Sequence, residues 1–225
     1  MSINVVERVD DLVKVQNILV SVSDKSGLDR FIPDLVKINP EIQIFSTGGT
    51  YGRVSEILGG SAGKRLMKVS DFTGQPETQG GLVKTLDFKI YLGLLTETYN
   101  DAHQNDLKRT GSVPIDMVVV NLYPFKATIS KPDVTVEQAR GNIDIGGPCM
   151  IRASAKNFIR VASVVDPADY DRIISELKKN RGSTTLKLRF ELARKAFDHT
   201  AVYDRTIADF LVSKHTDDVT DCYRF

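Results

Sequence analysis

Along this chain, short continuous apolar runs bounded by small polar turns alternate with stretches whose apolar residues recur at helical spacing. Asn17–Val22 (NILVSV) and Asp116–Asn121 (DMVVVN) have the composition of buried strands, and Ile42–Phe45, residues 65–69 and Val161–Val165 read as further strands. Between them the spacing predicts helices from the turn after Val22 to about Ile38, from Thr50 to about Leu58, and over Asp101–Arg109, Thr135–Gly141 and Pro167–Lys179. A long helical segment follows over Thr184–Leu211. Ile90–Leu95 reads as a further short strand. Residues 1–15, with Val5, Val6, Val9, Leu12 and Val13 at helical spacing among charges, read as an amphipathic lead-in. Strand, loop and helix in repeated succession predict an α/β fold with a central, mostly parallel sheet and a ligand at the carboxyl ends of its strands. The turn-rich stretch 71–86 is too long for a plain connector, and loops of that kind carry function.

Length fits one principal unit. We expect a lead-in over 1–16, a domain over 17–211 whose sheet core ends near Lys179 before a helical extension, and a loose polar tail over 212–225. Lys and Arg number 30 against 29 Asp and Glu, a net charge of +1, which argues against an electrostatically driven nucleic-acid binder. The sequence has no apolar run of membrane-spanning length and no signal-peptide pattern. Its two cysteines, Cys149 and Cys222, fit no metal or redox spacing, so a cytoplasmic protein is expected. The three histidines are scattered singly, so no metal site is expected.

Chemistry concentrates in three places. Ser23-Asp24-Lys25-Ser26-Gly27 and Ser46-Thr47-Gly48-Gly49-Thr50 each follow a strand and open a helix. Their hydroxyls, glycines and lysine suit a phosphate group, although neither matches the P-loop pattern. The third is 141–157 (GNIDIGGPCMIRASAKN), where Gly146-Gly147-Pro148 reads as a turn delivering the chain into a buried helix from Cys149. Arg152 and Lys156 share one face of that helix. They are expected to lean toward its N-terminus, where Asp144 and the N–H groups of Ile145, Gly146 and Gly147 lie. Asn121 and Tyr123, just past the clearest buried strand, stand where ligands of parallel sheets bind.

SVSDKSG, STGGT, VKTL, VVVNLYPF, NIDIGGP, RASAKN, VVDPADYD and KAFDHTAVYD, in this order, resemble the inosine monophosphate (IMP) cyclohydrolase domain. In that family the domain is usually the N-terminal half of a bifunctional purine-biosynthesis enzyme that also carries a formyltransferase. The resemblance covers about residues 17–211. It implies a methylglyoxal-synthase-like three-layer α/β fold with C-terminal helices, a homodimer, and closure of the purine ring of 5-formamidoimidazole-4-carboxamide ribotide to give IMP and water, without cofactor or metal. It implies that Ser23, Lys25, Ser26, Gly27, Thr47, Gly48, Gly49, Thr50 and Thr85 surround the 5′-phosphate. Lys84, Tyr123, Asp144 and Lys156 would then serve the ring closure, with Asn121 and the Ile145 and Gly146 amides near the base.

Two departures accompany the resemblance. Leu82 stands where the family usually has an arginine that contacts the phosphate, and Asp87-Phe88 replaces His-Pro. The formyltransferase half is absent from this sequence, so the chain is expected to be either a stand-alone cyclohydrolase or an excised domain, with a separate formyltransferase as a candidate partner. The alternative is a non-catalytic nucleotide-sensing module on the same fold, which Leu82 favours and the four candidate catalytic side chains oppose. A methylglyoxal-producing lyase would share the phosphate loops, but no histidine and aspartate pair stands near them.

Overall fold

The structure, a computed structural model, describes residues 5–76 and 85–225. The chain opens with a three-residue strand β1 (Leu12–Lys14), then β2 (Asn17–Val22), α1 (Leu28–Ile38), β3 (Gln43–Ser46) and α2 (Gly48–Leu58). Short helices α3 (Ala62–Arg65) and α4 (Val69–Thr73) flank β4 (Leu66–Lys68). They are followed by α5 (Phe88–Leu95), α6 (Asp101–Thr110) and β5 (Met117–Asn121). Next come α7 (Phe125–Ile129), α8 (Val136–Arg140), α9 (Gly146–Lys156), β6 (Ala162–Val164) and α10 (Tyr170–Lys179). β7 (Ser183–Thr185), α11 (Leu186–Val212) and α12 (Thr216–Thr220) complete the chain.

Five strands form one parallel sheet in the order β4-β3-β2-β5-β6. The order reverses at β2, so β2 and β5 frame the switch point at which such sheets bind ligands. Pleating divides the core in two. Ile18, Val20, Ile44, Met117 and Val119 face α1 and α10, whereas Leu19, Phe45, Val118 and Val120 face α5, α9 and the middle of α11. Covering the sheet on both sides explains its near-continuous apolar strands and gives the three-layer α/β architecture.

Four expectations are corrected. The lead-in is not helical where Leu12–Lys14 pairs antiparallel with β7. Its backbone is captured by the buried Arg189, whose guanidinium donates to the carbonyls of Asp10 (2.7 Å) and Asp11 (3.0 Å), and helical spacing could not foresee that partner. Ile90–Leu95 belongs to a helix, capped by Asp87, whose carboxylate accepts the N–H of Lys89 at 2.8 Å. A short apolar run does not distinguish strand from helix, and the cap was the missed signal. α9 starts at Gly146, so Gly146-Gly147-Pro148 forms its first turn rather than a turn ahead of a helix from Cys149. The tail carries α12, and the Tyr223 hydroxyl donates to Glu137 of α8. In 71–86, the described part opens within the helical turn α4, closed by Gly74 at φ 79°.

Candidate functional site

At the carboxyl ends of β2, β3 and β5 lies a cavity of ≈ 360 Å³ whose wall includes Ser23, Lys25, Thr47, Gly48, Gly49, Thr50, Thr85, Asn121, Tyr123, Asp144, Ile145 and Gly146. The residues read from the two hydroxyl-rich loops, from the end of β5 and from the start of α9 thus meet in one place. Ser26 and Gly27, at the end of the first loop, are not part of that wall. Asp24 accepts the Ser26 N–H (2.9 Å) and hydroxyl (2.6 Å), and Gly27 takes φ 75° to turn the chain into α1. Lys84 and Leu82 lie outside the described residues.

Several of these side chains are already committed. Asn121 Oδ1 accepts the N–H groups of Ser23 (2.7 Å) and Asp24 (2.8 Å), and its Nδ2 donates to the Asp24 carbonyl (2.8 Å), so it clamps the first loop to β5. Thr50 Oγ1 accepts the Val22 N–H (3.1 Å) and donates to the Val22 carbonyl (3.0 Å), tying α2 to the end of β2. Thr47 Oγ1 lies 3.0 Å from Ser21 Oγ. Lys25 Nζ, which donates to the Ser23 carbonyl at 3.3 Å, reaches over the start of α2. A Cβ on Gly49 would lie 4.0 Å from it. A cation above the first free N–H groups of a helix makes an anion cradle.

Opposite that cradle is the start of α9. Asp144 Oδ1 accepts the Gly147 N–H at 2.9 Å, and the Asp144 N–H donates to the Tyr203 hydroxyl oxygen of α11 at 2.8 Å. Partial burial pushes the Asp144 carboxyl above the usual carboxylate range, with the Gly147 and Tyr123 backbone N–H groups opposing the rise. A Cβ on Gly146 would stand 2.7 Å from Thr85 Oγ1, which explains a glycine where the chain returns beside the cavity. Tyr123 and Ile145 are 55% and 57% exposed at the rim, open to a ligand. Tyr203 was not singled out by sequence reasoning. Its signal was its place in KAFDHTAVYD, a motif noticed as a whole but given no role.

Lys156 is not in this cavity. It is exposed on the last turn of α9, ten residues from Gly146. At about 1.5 Å per residue that is ~15 Å along the axis, more than a lysine spans. Arg152 is likewise exposed and lies over the Phe197 ring, 5.7 Å from its centroid. The expected convergence of these two cations on the helix N-terminus therefore does not occur within one chain. Sharing a helical face says nothing about distance along the axis.

Among the described residues no group of His, Cys, Asp or Glu could hold a metal ion, and no helix is long and apolar enough to cross a membrane.

Comparison with known proteins agrees with this geometry. The model of the MGS-like domain matches residues 27–149, and that of the AICARFT/IMPCHase bienzyme matches 154–224. The chain is 50% identical over 197 residues to the bifunctional purine biosynthesis protein PurH of Thermoanaerobacter sp. (strain X514), covering 88% of this chain and 37% of that one. It is 45% identical over 199 residues to PurH of Bacillus subtilis (strain 168), again covering 88% and 37%. The chain thus spans little more than a third of the length of the curated relatives it matches. A crystal structure of ForH superposes with a TM-score of 0.73 at 29% identity, covering 87% of this chain and 98% of that one. With its parallel sheet, its switch-point cavity and a family model spanning more than half its length, the chain belongs to the MGS-like domain family.

Proposed function

We propose that this chain is an IMP cyclohydrolase acting on 5-formamidoimidazole-4-carboxamide ribotide. The observation that carries the reading is the facing arrangement across one cavity of a Lys25-topped phosphate cradle and the Asp144 carboxylate beside free N–H groups of α9. PurH relatives support it, since the matched third of their length is the part this chain resembles.

The chemistry asks for those groups. The carboxamide nitrogen attacks the formyl carbon, and one of its protons ends on the former formyl oxygen. The resulting hydroxyl then leaves with the formamide N–H proton as water, giving the aromatic ring of IMP. Asp144 accepts and returns the travelling proton, a task for which a raised carboxyl pKa is suited. The Ile145 and Gly146 N–H groups stabilise the oxygen as it becomes negative, each donor contributing roughly 2.7–4 kcal/mol by analogy with acyl chemistry. The cradle fixes the ribotide by its phosphate, so that two groups of one molecule meet at the base-facing end. Tyr123, exposed at the rim, closes over the base, and Lys84, which the resemblance assigns to the ring closure, supplies a cation.

Lys156 can take part only in the cavity of a second copy. Beside it α11 exposes Phe190 and Phe197, 47% and 38% accessible, an apolar surface of the kind an isologous dimer covers. The proposal is therefore a homodimer whose two sites exchange Lys156, working in the cytoplasm on substrate supplied by a formyltransferase activity. Incubation of the purified chain with the formamido ribotide, followed by chromatography, tests the function. IMP appearing at a rate proportional to enzyme is expected, and no IMP above the enzyme-free rate would overturn it.

A further inference from the structure

A second hollow, of ≈ 320 Å³, lies on the other side of the rim made by Thr47 and Gly48 and is also lined by Tyr51, Lys68 and Ser70. Thr47 and Gly48 belong to the walls of both cavities, so the two meet at the first turn of α2. Lys68 ends β4, in parallel register with Ser46, the residue before Thr47. Its Nζ rests 5.4 Å from the centroid of the Tyr51 ring, and among the described residues it forms no ion pair.

Charge on the described wall of the larger cavity is unbalanced. A phosphate monoester carries about −1.5 to −2 near pH 7. Among the described wall residues Lys25 is the one cation, and Asp144 is of the wrong sign. Position 82, where the resemblance leads one to expect an arginine, holds leucine. A flexible ammonium held loosely on an aromatic face one strand away is suited to move over a low rim of threonine and glycine.

We infer that Lys68 is a second phosphate-binding cation, which leaves the face of Tyr51 to reach a nucleotide 5′-phosphate across the Thr47–Gly48 rim. This rests on the reading of the larger cavity as a ribotide site. Lys68 is exposed, so its replacement leaves the fold intact, and its contribution falls at the screened end of charge-assisted contacts.

The test is calorimetric titration of IMP and of inosine, which lacks the phosphate, into the parent chain, Lys68→Met and Lys68→Arg. Lys68→Met is expected to bind IMP about tenfold more weakly while inosine affinity stays unchanged, and Lys68→Arg to retain IMP. The tenfold gap should narrow as salt is raised. Unchanged IMP affinity in Lys68→Met, or equal weakening of IMP and inosine, overturns the inference while leaving the ribotide site standing. A parent chain that binds no IMP overturns that site reading and the inference with it.

Discussion

The carboxylate of Asp144 and the backbone of Gly147 occupy the same corner. Asp144 Oδ1 accepts the Gly147 N–H at 2.9 Å, and a Cβ at position 147 would lie 2.6 Å from Asp144 Oδ2. The bond orients the carboxylate, and the missing side chain leaves room for it. Gly147→Ala should therefore swing Asp144 out of place. A displacement of about 1 Å costs on the order of 100-fold in rate, so kcat should fall about that much while IMP affinity changes little. Steady-state kinetics beside IMP titration checks this, and loss of affinity without loss of kcat would show that Asp144 is not oriented for catalysis.

Asp144 also sets a pH dependence. Burial raises its pKa above the usual carboxylate range, and a proton acceptor works only when ionised. Turnover should thus be full above that raised pKa and decline as pH falls through it, with the acid limb lying above the range of an ordinary aspartate. Asp144→Asn should remove both the activity and that limb. The kcat profile of the parent chain, measured down to the limit of its stability, decides the point.

Tyr203 acts at one remove. Its hydroxyl oxygen accepts the Asp144 N–H at 2.8 Å from α11, so Tyr203→Phe leaves that N–H without its partner. The expected cost is about 1 kcal/mol of stability, read as a shift of a few degrees in Tm, with a loss in kcat larger than any rise in KM. A kcat equal to that of the parent would remove Tyr203 from the support of the site.

If Lys156 serves a neighbouring cavity, two inactive proteins should rescue each other. Lys156→Ala and Asp144→Asn are each expected to lose turnover. Mixed in equal amounts and allowed to exchange subunits, they form hybrids with one intact site, giving about a quarter of parental activity for random pairing through an isologous interface. A mixture as inactive as its components would confine each site to one chain.

Much of the site was legible because its residues sit where strands end. The interiors of NILVSV and DMVVVN are almost wholly apolar because both faces of β2 and β5 are covered, and the polar residues at and just past their carboxyl ends are therefore the cavity wall. What escaped the sequence depended on partners distant along the chain. Leu12–Lys14 became a strand through β7 and Arg189, far along the chain. Gly93, in the helix misread as a strand, is chosen by a close approach, since a Cβ there would lie 2.5 Å from the Val113 carbonyl oxygen. Asn121 and Thr50 line the cavity, but their hydrogen bonds go largely to β2 and its loop, which spacing alone does not reveal.

The most direct test of ring closure in this cavity is the ultraviolet spectrum after mixing the chain with the formamidoimidazole carboxamide ribotide, beside Asp144→Asn, with IMP binding measured on both. A purine spectrum that grows with the parent chain alone is expected, while both proteins bind IMP. IMP bound by the parent chain with no change in spectrum would contradict it, and would make this fold a nucleotide sensor rather than an enzyme.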